Sequence, residues 1–398
     1  MPWKATKPVD LKMEFIARLR AGERMTELCR EYGISRKTGH KLVNRVERFG
    51  VSGLDEQSRA PKHIPHRTPA ETAVELILAQ RREHPTWGPK KLKDVLERRL
   101  GHALPAPSTS GSWLDRNGLV DKRRYRRRHK PQPTTLRQAL APNDVWCIDY
   151  KGQIRLGDGN YCYPLTITDQ YSRYLLGCEG MGAINDEAAR DACAEIFHTY
   201  GLPLVMRSDN GVPFASTGLG GLTKLSVYWL RLGIKLERIR PAHPQDNGQH
   251  ERMHRTLKRE TTRPARANLL QQQERFDAFL EEFNHDRPHE ALEMKRPAEV
   301  YTSCARPCPT TLPELSYPTH DDTLRVSRYG QIRISGQKQI RLSAALADEY
   351  VGVRELDDGR WLVTFANIDL GYVGPRRSFT PLTSHPPEAN NLLPMCPV

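Results

Sequence analysis

Three acidic residues sit in contexts that set them apart from ordinary surface acids. Asp149 closes the apolar run Trp146-Cys147-Ile148, Asp209 lies between Arg207-Ser208 and Asn210-Gly211, and Glu251 follows Pro244-Gln245-Asp246-Asn247-Gly248. A charge that ends an apolar strand in a sheet is expensive unless it is paired or bound to a metal ion. Three carboxylates gathered at one point repel one another, and divalent cations remove that repulsion. Oxygen ligands that leave positions open to water favour Mg²⁺, with Mn²⁺ as a substitute. Two such ions about 3.5–4 Å apart can activate a nucleophile and stabilise the leaving oxygen of an in-line phosphoryl displacement. Asp149, Asp209 and Glu251 are therefore the candidate catalytic and metal-holding residues. Taken singly, each would pass for a capping or surface acid. Asp246 competes with Glu251 but reads better as a turn or N-cap residue. Asp169, in Asp169-Gln170-Tyr171-Ser172-Arg173, reads as a turn acid paired locally with Arg173.

A particular fold must bring these residues together. Strands are expected at Val145–Tyr150, Gln153–Leu156, Tyr161–Thr168, Tyr174–Cys178, Leu204–Ser208 and Ile234–Ile239, with Gly157-Asp158-Gly159-Asn160 as a hairpin turn. Helices are expected at Asn185–Tyr200, capped by Asn185, and at Leu222–Leu232, Gly248–Glu260 and Leu269–Asn284. This order fits a ribonuclease-H-like α/β domain, an antiparallel ribbon followed by alternating helices and strands. In that topology the strand of Asp149 neighbours the strand before Asp209, and the helix of Glu251 starts beside their ends. Asn210 and Gly211 let the chain turn tightly after Asp209. Arg252, Arg255, Lys258 and Arg259 share a helix with Glu251 and could hold phosphates beside it; the alternative is an exposed basic face. Asn284, Arg287 and His289 read as structural support at a helix end.

The formal net charge of +14 is unevenly placed. Residues 1–140 hold 31 Lys and Arg against 15 Asp and Glu, so the whole basic excess lies in the first third. That asymmetry implies a polyanionic partner, most simply nucleic acid. Three helices are expected near Asp10–Arg20, Met25–Tyr32 and Ser35–Arg48, a helix-turn-helix pattern. Ser35, Arg36, Lys37, Thr38 and His40 would lie at the start of its recognition helix. A second such pattern follows at Pro69–Glu83, Lys90–Leu100 and Ser108–Gly118, the last capped by Ser108. Lys122, Arg123, Arg124, Arg126, Arg127 and Arg128 form a basic run suited to neutralising phosphates. Turns spaced through Thr323–Val373 suggest a small β-barrel, and the Pro-, Ser- and Asn-rich tail is expected to be disordered. Neither the eight scattered cysteines nor His63-x2-His66, which no Cys-x-x-Cys follows, completes a structural zinc site. No apolar stretch is long enough to span a membrane, and no secretory signal opens the chain.

The segments WCIDY, RSDNG, PAHPQDNGQHERMHRTLKRE and FNHDRPHEAL resemble bacterial insertion-sequence transposases with a retroviral-integrase-like core. The resemblance runs in order over about residues 10–375, although the C-terminal part is similar only in its β-rich character. It implies an Asp-Asp-Glu recombinase in which Asp149, Asp209 and Glu251 hold two Mg²⁺ ions. The first gap holds 59 residues and the second 41, longer than in many relatives; the Gly-rich Ser216–Thr223 can absorb the extra length. Asn284, Arg287 and His289 are similar to a family signature. The resemblance further implies hydrolysis at an element's end, attack of the freed 3′-hydroxyl on target DNA, binding of terminal inverted repeats, and a homo-oligomer, at least a dimer on DNA. A cytoplasmic, nucleoid-associated bacterial protein is expected. A DNA-binding regulator that keeps the fold without activity, and a nuclease without strand transfer, stay open as alternatives. The expected class is thus multidomain: helix-turn-helix domains at 1–55 and 66–121, the latter also winged-helix-like, a basic linker at 122–140, an integrase-type ribonuclease-H-like core at 141–302, a small β-barrel at 320–375 and a tail at 376–398.

Overall fold

The computed structural model describes residues 8–55, 70–120, 136–240, 243–334, 339–374 and 378–382. The basic run 122–128 lies outside them, as does the tail from residue 383. The chain divides into two compact units, residues 1–67 and 68–398.

The first unit holds α1 (Pro8–Arg20), α2 (Met25–Glu31) and α3 (Arg36–Phe49) around Phe15, Leu28, Cys29, Leu42, Val46 and Leu54. Gly33, at φ +61°, reverses the chain between α2 and α3 where other residues would be strained. Gly39 lets α3 press against α2, since a Cβ there would lie 2.7 Å from Met25 Sδ and 2.9 Å from Cys29 Sγ.

The second unit opens with α4 (Ala70–Glu83), α5 (Pro89–Leu100) and α6 (Pro107–Arg116), packed on Ile77, Trp87, Leu92, Leu96 and Leu114. Ser108 does not cap α6. Ala106 holds that position and Pro107 starts the helix, its fixed φ suiting the first turn. Next come β1 (Val145–Tyr150), β2 (Ile154–Arg155), β3 (Tyr161–Asp169), β4 (Leu175–Met181), α7 (Asp186–Tyr200), β5 (Val205–Ser208), α8 (Lys224–Arg231), β6 (Lys235–Arg238), α9 (Gly248–Thr261) and α10 (Leu269–Glu281). The sheet order is β2-β3-β1-β5-β6, with β4 on β3. β1 runs antiparallel to β3 and parallel to β5, which places the strand before Asp209 beside that of Asp149. Because side chains alternate along a strand, Trp146 and Ile148 face one way and Cys147 and Asp149 the other. The first pair joins Phe197 and Trp229 of α7 and α8. On the opposite face Met253, Leu257, Phe276 and Phe279 of α9 and α10 pack on Cys162, Leu175 and Cys178.

The C-terminal strands are β7 (Asp322–Arg325), β8 (Gln331–Ile332), β9 (Ile340–Arg341), β10 (Tyr350–Glu355), β11 (Trp361–Phe365), β12 (Ile368–Val373) and β13 (Phe379–Pro381). The expected barrel does not close among the described residues: β13-β12-β11-β10-β7 is an open antiparallel sheet, and β8-β9 is a separate ribbon. Its apolar side needs no closure, because Leu222, Val227 and Leu230 from α8 and the preceding loop pack with Val351, Val353, Phe365 and Leu370. Among the described residues no helix is long and apolar enough to cross a membrane.

Candidate active site

Asp149 is half-buried, second to last in β1, in register with Thr166 of β3. Burial pushes its carboxyl up to about 7, and the charges of Asp209 and Glu251 add to that rise. Asp209 leaves β5 in a tight turn in which Gly211 N donates to Asp209 Oδ1 at 3.1 Å. A Cβ on Gly211 would lie 3.1 Å from Asp209 Oδ2, so the turn needs glycine to keep the carboxylate clear. Asn210 Nδ2 ties it down by donating to Ile239 O at 2.7 Å. Glu251 stands exposed in the first turn of α9. The competing acids are otherwise engaged. Asp246 forms a two-point ion pair with Arg240, at 2.8 Å for each contact. Asp169 is buried and accepts from Asn143 N at 2.8 Å, Ser172 N at 2.8 Å and Ser172 Oγ at 2.6 Å. The expected side-chain pairing of Asp169 with Arg173 is absent: these three donors already satisfy its oxygens, and Arg173 Nη1 has no partner.

Two histidines that the sequence reading passed over complete the floor of the site. His250 and His254 lie one helical turn apart on the buried side of α9, flanking Glu251, a spacing that could have marked them. The Thr166 hydroxyl donates to Asp149 O at 3.1 Å. It lies 2.8 Å from His250 Nε2 and 2.6 Å from His254 Nε2, so both rings donate their Nε2–H to it. Thr168 Oγ1 then donates to His250 Nδ1 at 2.8 Å. Burial keeps both rings neutral, holding His250 near 3 and His254 far below the usual imidazole range. His254 Nδ1 is left with a lone pair 3.7 Å from Asp149 Oδ2. Ligand atoms of Asp149, His250 and His254 lie within 4.8 Å of one another. A lone pair facing a carboxylate is a donor set suited to a divalent cation.

Glu251, Lys151, Arg255, Lys258, Arg259 and Arg263 line one cavity of about 280 Å³. Cationic side chains thus border one of the three acids, as phosphate binding would require.

Known proteins resemble this arrangement. Residues 139–244 and 232–297 match the integrase core domain, and residues 6–55 match a homeodomain-like domain. The chain carries an integrase core behind a helix-turn-helix domain. Over 122 residues it is 32% identical to the Gag-Pol polyprotein of baboon endogenous virus (strain M7), which is 31% of this chain and 7% of that polyprotein. It is also 32% identical over 122 residues to the Pol polyprotein of feline endogenous virus ECE1, covering 31% of this chain and 11% of that one. The match thus spans only a small part of these curated relatives. Among solved structures, the HTLV-2 integrase catalytic core domain in complex with magnesium aligns at 16% identity and TM-score 0.34, covering 42% of this chain and 100% of that one. The simian T-cell lymphotropic virus intasome in complex with PP2A regulatory subunit B56 gamma aligns at 15% identity and TM-score 0.37, covering 76% and 100%.

Other expected site residues fall into distinct places around the integrase core and its helical modules. Arg36, Lys37 and His40 are exposed at the start of α3. Ser35 Oγ caps that helix by accepting from Thr38 N at 3.1 Å and lies 2.9 Å from Thr38 Oγ1, so both hydroxyls serve the cap. Arg252 is exposed on α9 and its Nε donates to Gly248 O at 3.0 Å. Asn284 clasps β4, accepting from Leu175 N at 2.8 Å and donating to Leu175 O at 2.9 Å. Arg287 Nη1 reaches Glu260 Oε1 at 2.8 Å, and that carboxylate also accepts from the Thr86 hydroxyl. The α4–α6 module is tied to the core by further polar pairs: His84 Nδ1 to Glu282 Oε1 at 2.8 Å, Lys90 Nζ to Glu290 Oε2 at 2.9 Å and Arg98 Nη1 to Glu299 Oε1 at 2.9 Å.

Proposed function

We propose that this chain is a transposase of the insertion-sequence kind, which binds the terminal inverted repeats of a mobile element and cuts and joins DNA at Asp149, Asp209 and Glu251. The observation that carries the reading is the placing of Asp149, half-buried near the end of β1 beside the strand that leads to Asp209, with a lone pair of His254 facing it at 3.7 Å. Such a carboxyl is poised to exchange its proton for a cation. Bound Mg²⁺, as two ions with Mn²⁺ as a substitute, would activate the attacking oxygen and stabilise the leaving one. Asp149, Asp209 and Glu251 would hold the ions. Thr166 fixes the ring of His254, whose Nδ1 lone pair faces Asp149 Oδ2 at 3.7 Å and would share a cation with it. Lys151, Arg255, Lys258 and Arg259 hold phosphates in line with the acids. Arg36, Lys37 and His40 read the repeat, and the basic run from Lys122 to Arg128 neutralises its backbone. Joining two ends at once calls for a homo-oligomer, at least a dimer. The protein would work in the bacterial cytoplasm, on the nucleoid.

The test is strand transfer. Wild type and Glu251→Gln are incubated with a labelled duplex from the flank of the native gene and a supercoiled plasmid in Mg²⁺. Joined product should fall by roughly 10³-fold or more in the variant while duplex binding stays within about twofold. Cleavage without joining would replace the transposase reading by a nuclease. Tight binding with neither reaction, in Mg²⁺ or Mn²⁺, would replace it by a DNA-binding regulator.

A further inference from the structure

None of the three acids lines a cavity of about 410 Å³ between α5, α9 and the turn that joins β3 to β4. Lys91, Arg173 and Arg252 converge on it. Its two carboxylates are already engaged, Asp169 by three donors and Glu290 by Lys90. Arg287, also at its wall, is paired with Glu260. Among the described residues Lys91, Arg173 and Arg252 have no carboxylate partner. Lys91 and Arg173 are half-buried and Arg252 stands at the exposed rim, so three like charges face one cavity without counter-charge, and an anion is the missing partner.

Unpartnered buried atoms describe that anion further. Arg173 Nη1 and His289 Nε2 lack hydrogen-bond partners, and so do Gln170 Oε1 and Gln249 Oε1. Guanidinium, ammonium and imidazole donors suit phosphate oxygens, while carboxamide oxygens suit the amino edge of a base. Arg173 itself is held at φ +66°, a conformation non-glycine residues adopt at a cost and keep where a site requires it. An adjoining cavity of about 660 Å³ shares Gln170, Arg173, Gln249 and Arg252, which extends the cleft along α9.

We propose that this cleft is a second DNA-backbone site, in which Lys91, Arg173 and Arg252 seat a phosphate of the strand being processed and Gln170 and Gln249 touch the attached nucleotide. It rests on the DNA-processing reading above. Gln249 and Arg252 flank Glu251 on α9, so a strand seated here is held by the helix that carries a candidate catalytic acid. Burial and the neighbouring Arg287 push the Lys91 ammonium down to about 7, which makes it a reactive amine near neutral pH.

That reactivity provides the test. The full chain is acylated with acetic anhydride at neutral pH, alone, with saturating duplex DNA, or with inorganic phosphate, and Lys91 modification is read by mass spectrometry. In parallel, duplex affinity is measured against salt for wild type, Lys91→Gln and Arg173→Gln. Duplex DNA should lower Lys91 acylation severalfold. Each variant should bind roughly tenfold more weakly, with the slope of log affinity against log salt reduced by about 0.9. An unprotected Lys91 in the DNA complex, together with an unchanged slope in Lys91→Gln, would overturn the proposal; neither readout depends on the folding of Arg173→Gln. Protection by inorganic phosphate but not by duplex would make this a free-anion site and overturn the DNA assignment. Lys91 protected by duplex with no strand transfer would break the transposase reading and leave this one standing.

Discussion

The two helical modules repeat an architecture of three helices and end in different circumstances. In α1–α3 the cations at the head of α3, Arg36, Lys37 and His40, stand exposed with no ion pair among the described residues. In α4–α6 three charged side chains meet partners on the integrase core: His84 with Glu282, Lys90 with Glu290 and Arg98 with Glu299, around the inner pair Arg287–Glu260. The head of α3 leaves its three cations exposed, whereas three charged side chains of α4–α6 are spent on docking. The contrast teaches that a basic helix after a glycine turn does not by itself make a DNA reader.

The comparison can be broken most forcefully at its inner ion pair. Arg287 and Glu260 are 8% and 13% exposed, and removing one partner of such a pair leaves the other charge stranded. Glu260→Ala should therefore cost roughly 3 kcal/mol, seen as a loss of about two decades of amide hydrogen-exchange protection in α4 and α5. Unchanged protection would mean that the module is not clamped. A smaller effect is expected on DNA. Arg36→Ala with Lys37→Ala should weaken duplex binding roughly tenfold in moderate salt, whereas Lys90→Ala with Arg98→Ala should change it less than about twofold. Equal losses from the two double variants would erase the distinction between the modules. The smallest effect is a pH dependence. Burial lowers the His84 imidazolium, but Glu282 outweighs it and leaves the group raised. Its contribution to docking is complete below the ordinary imidazole range and is lost as pH rises through the raised value. Exchange protection in α4, corrected for intrinsic rates, should therefore fall less than about tenfold between pH 6 and 8.5, and His84→Gln should flatten the profile.

Much of this arrangement was legible because it is written locally. A continuous apolar run marks β1, the alternation of Leu165 and Ile167 with threonines marks β3, and Asn185 caps α7 as expected, accepting from Ala188 N at 2.8 Å. The acids stood out because each sits at an element's edge. What escaped the sequence depends on distance along the chain. The docking partners of His84, Lys90 and Arg98 lie 198, 200 and 201 residues further on, and no local pattern announces them. Barrel closure was inferred from turn spacing, but closure needs a particular edge pairing, and Val227 and Leu230 of α8 cover the apolar face instead. His250 and His254 were visible as a pair one turn apart. Their meaning comes from Thr166 and Thr168, which are contributed by a different element.

The end of α10 departs from a regular helix. Residues Glu282–Asp286 take a π turn, which holds one more residue than an α-turn. Without it, everything beyond would be rotated by about 100°. The surplus residue acts as a phase shifter. It lets Asn284 meet Leu175 of β4 while Arg287, three residues on, reaches Glu260 on α9. The spacing between the two grips is thereby fixed in whole residues. Side chains on the outer surface of α10 are free to vary, but a single insertion or deletion here would disengage one grip or the other.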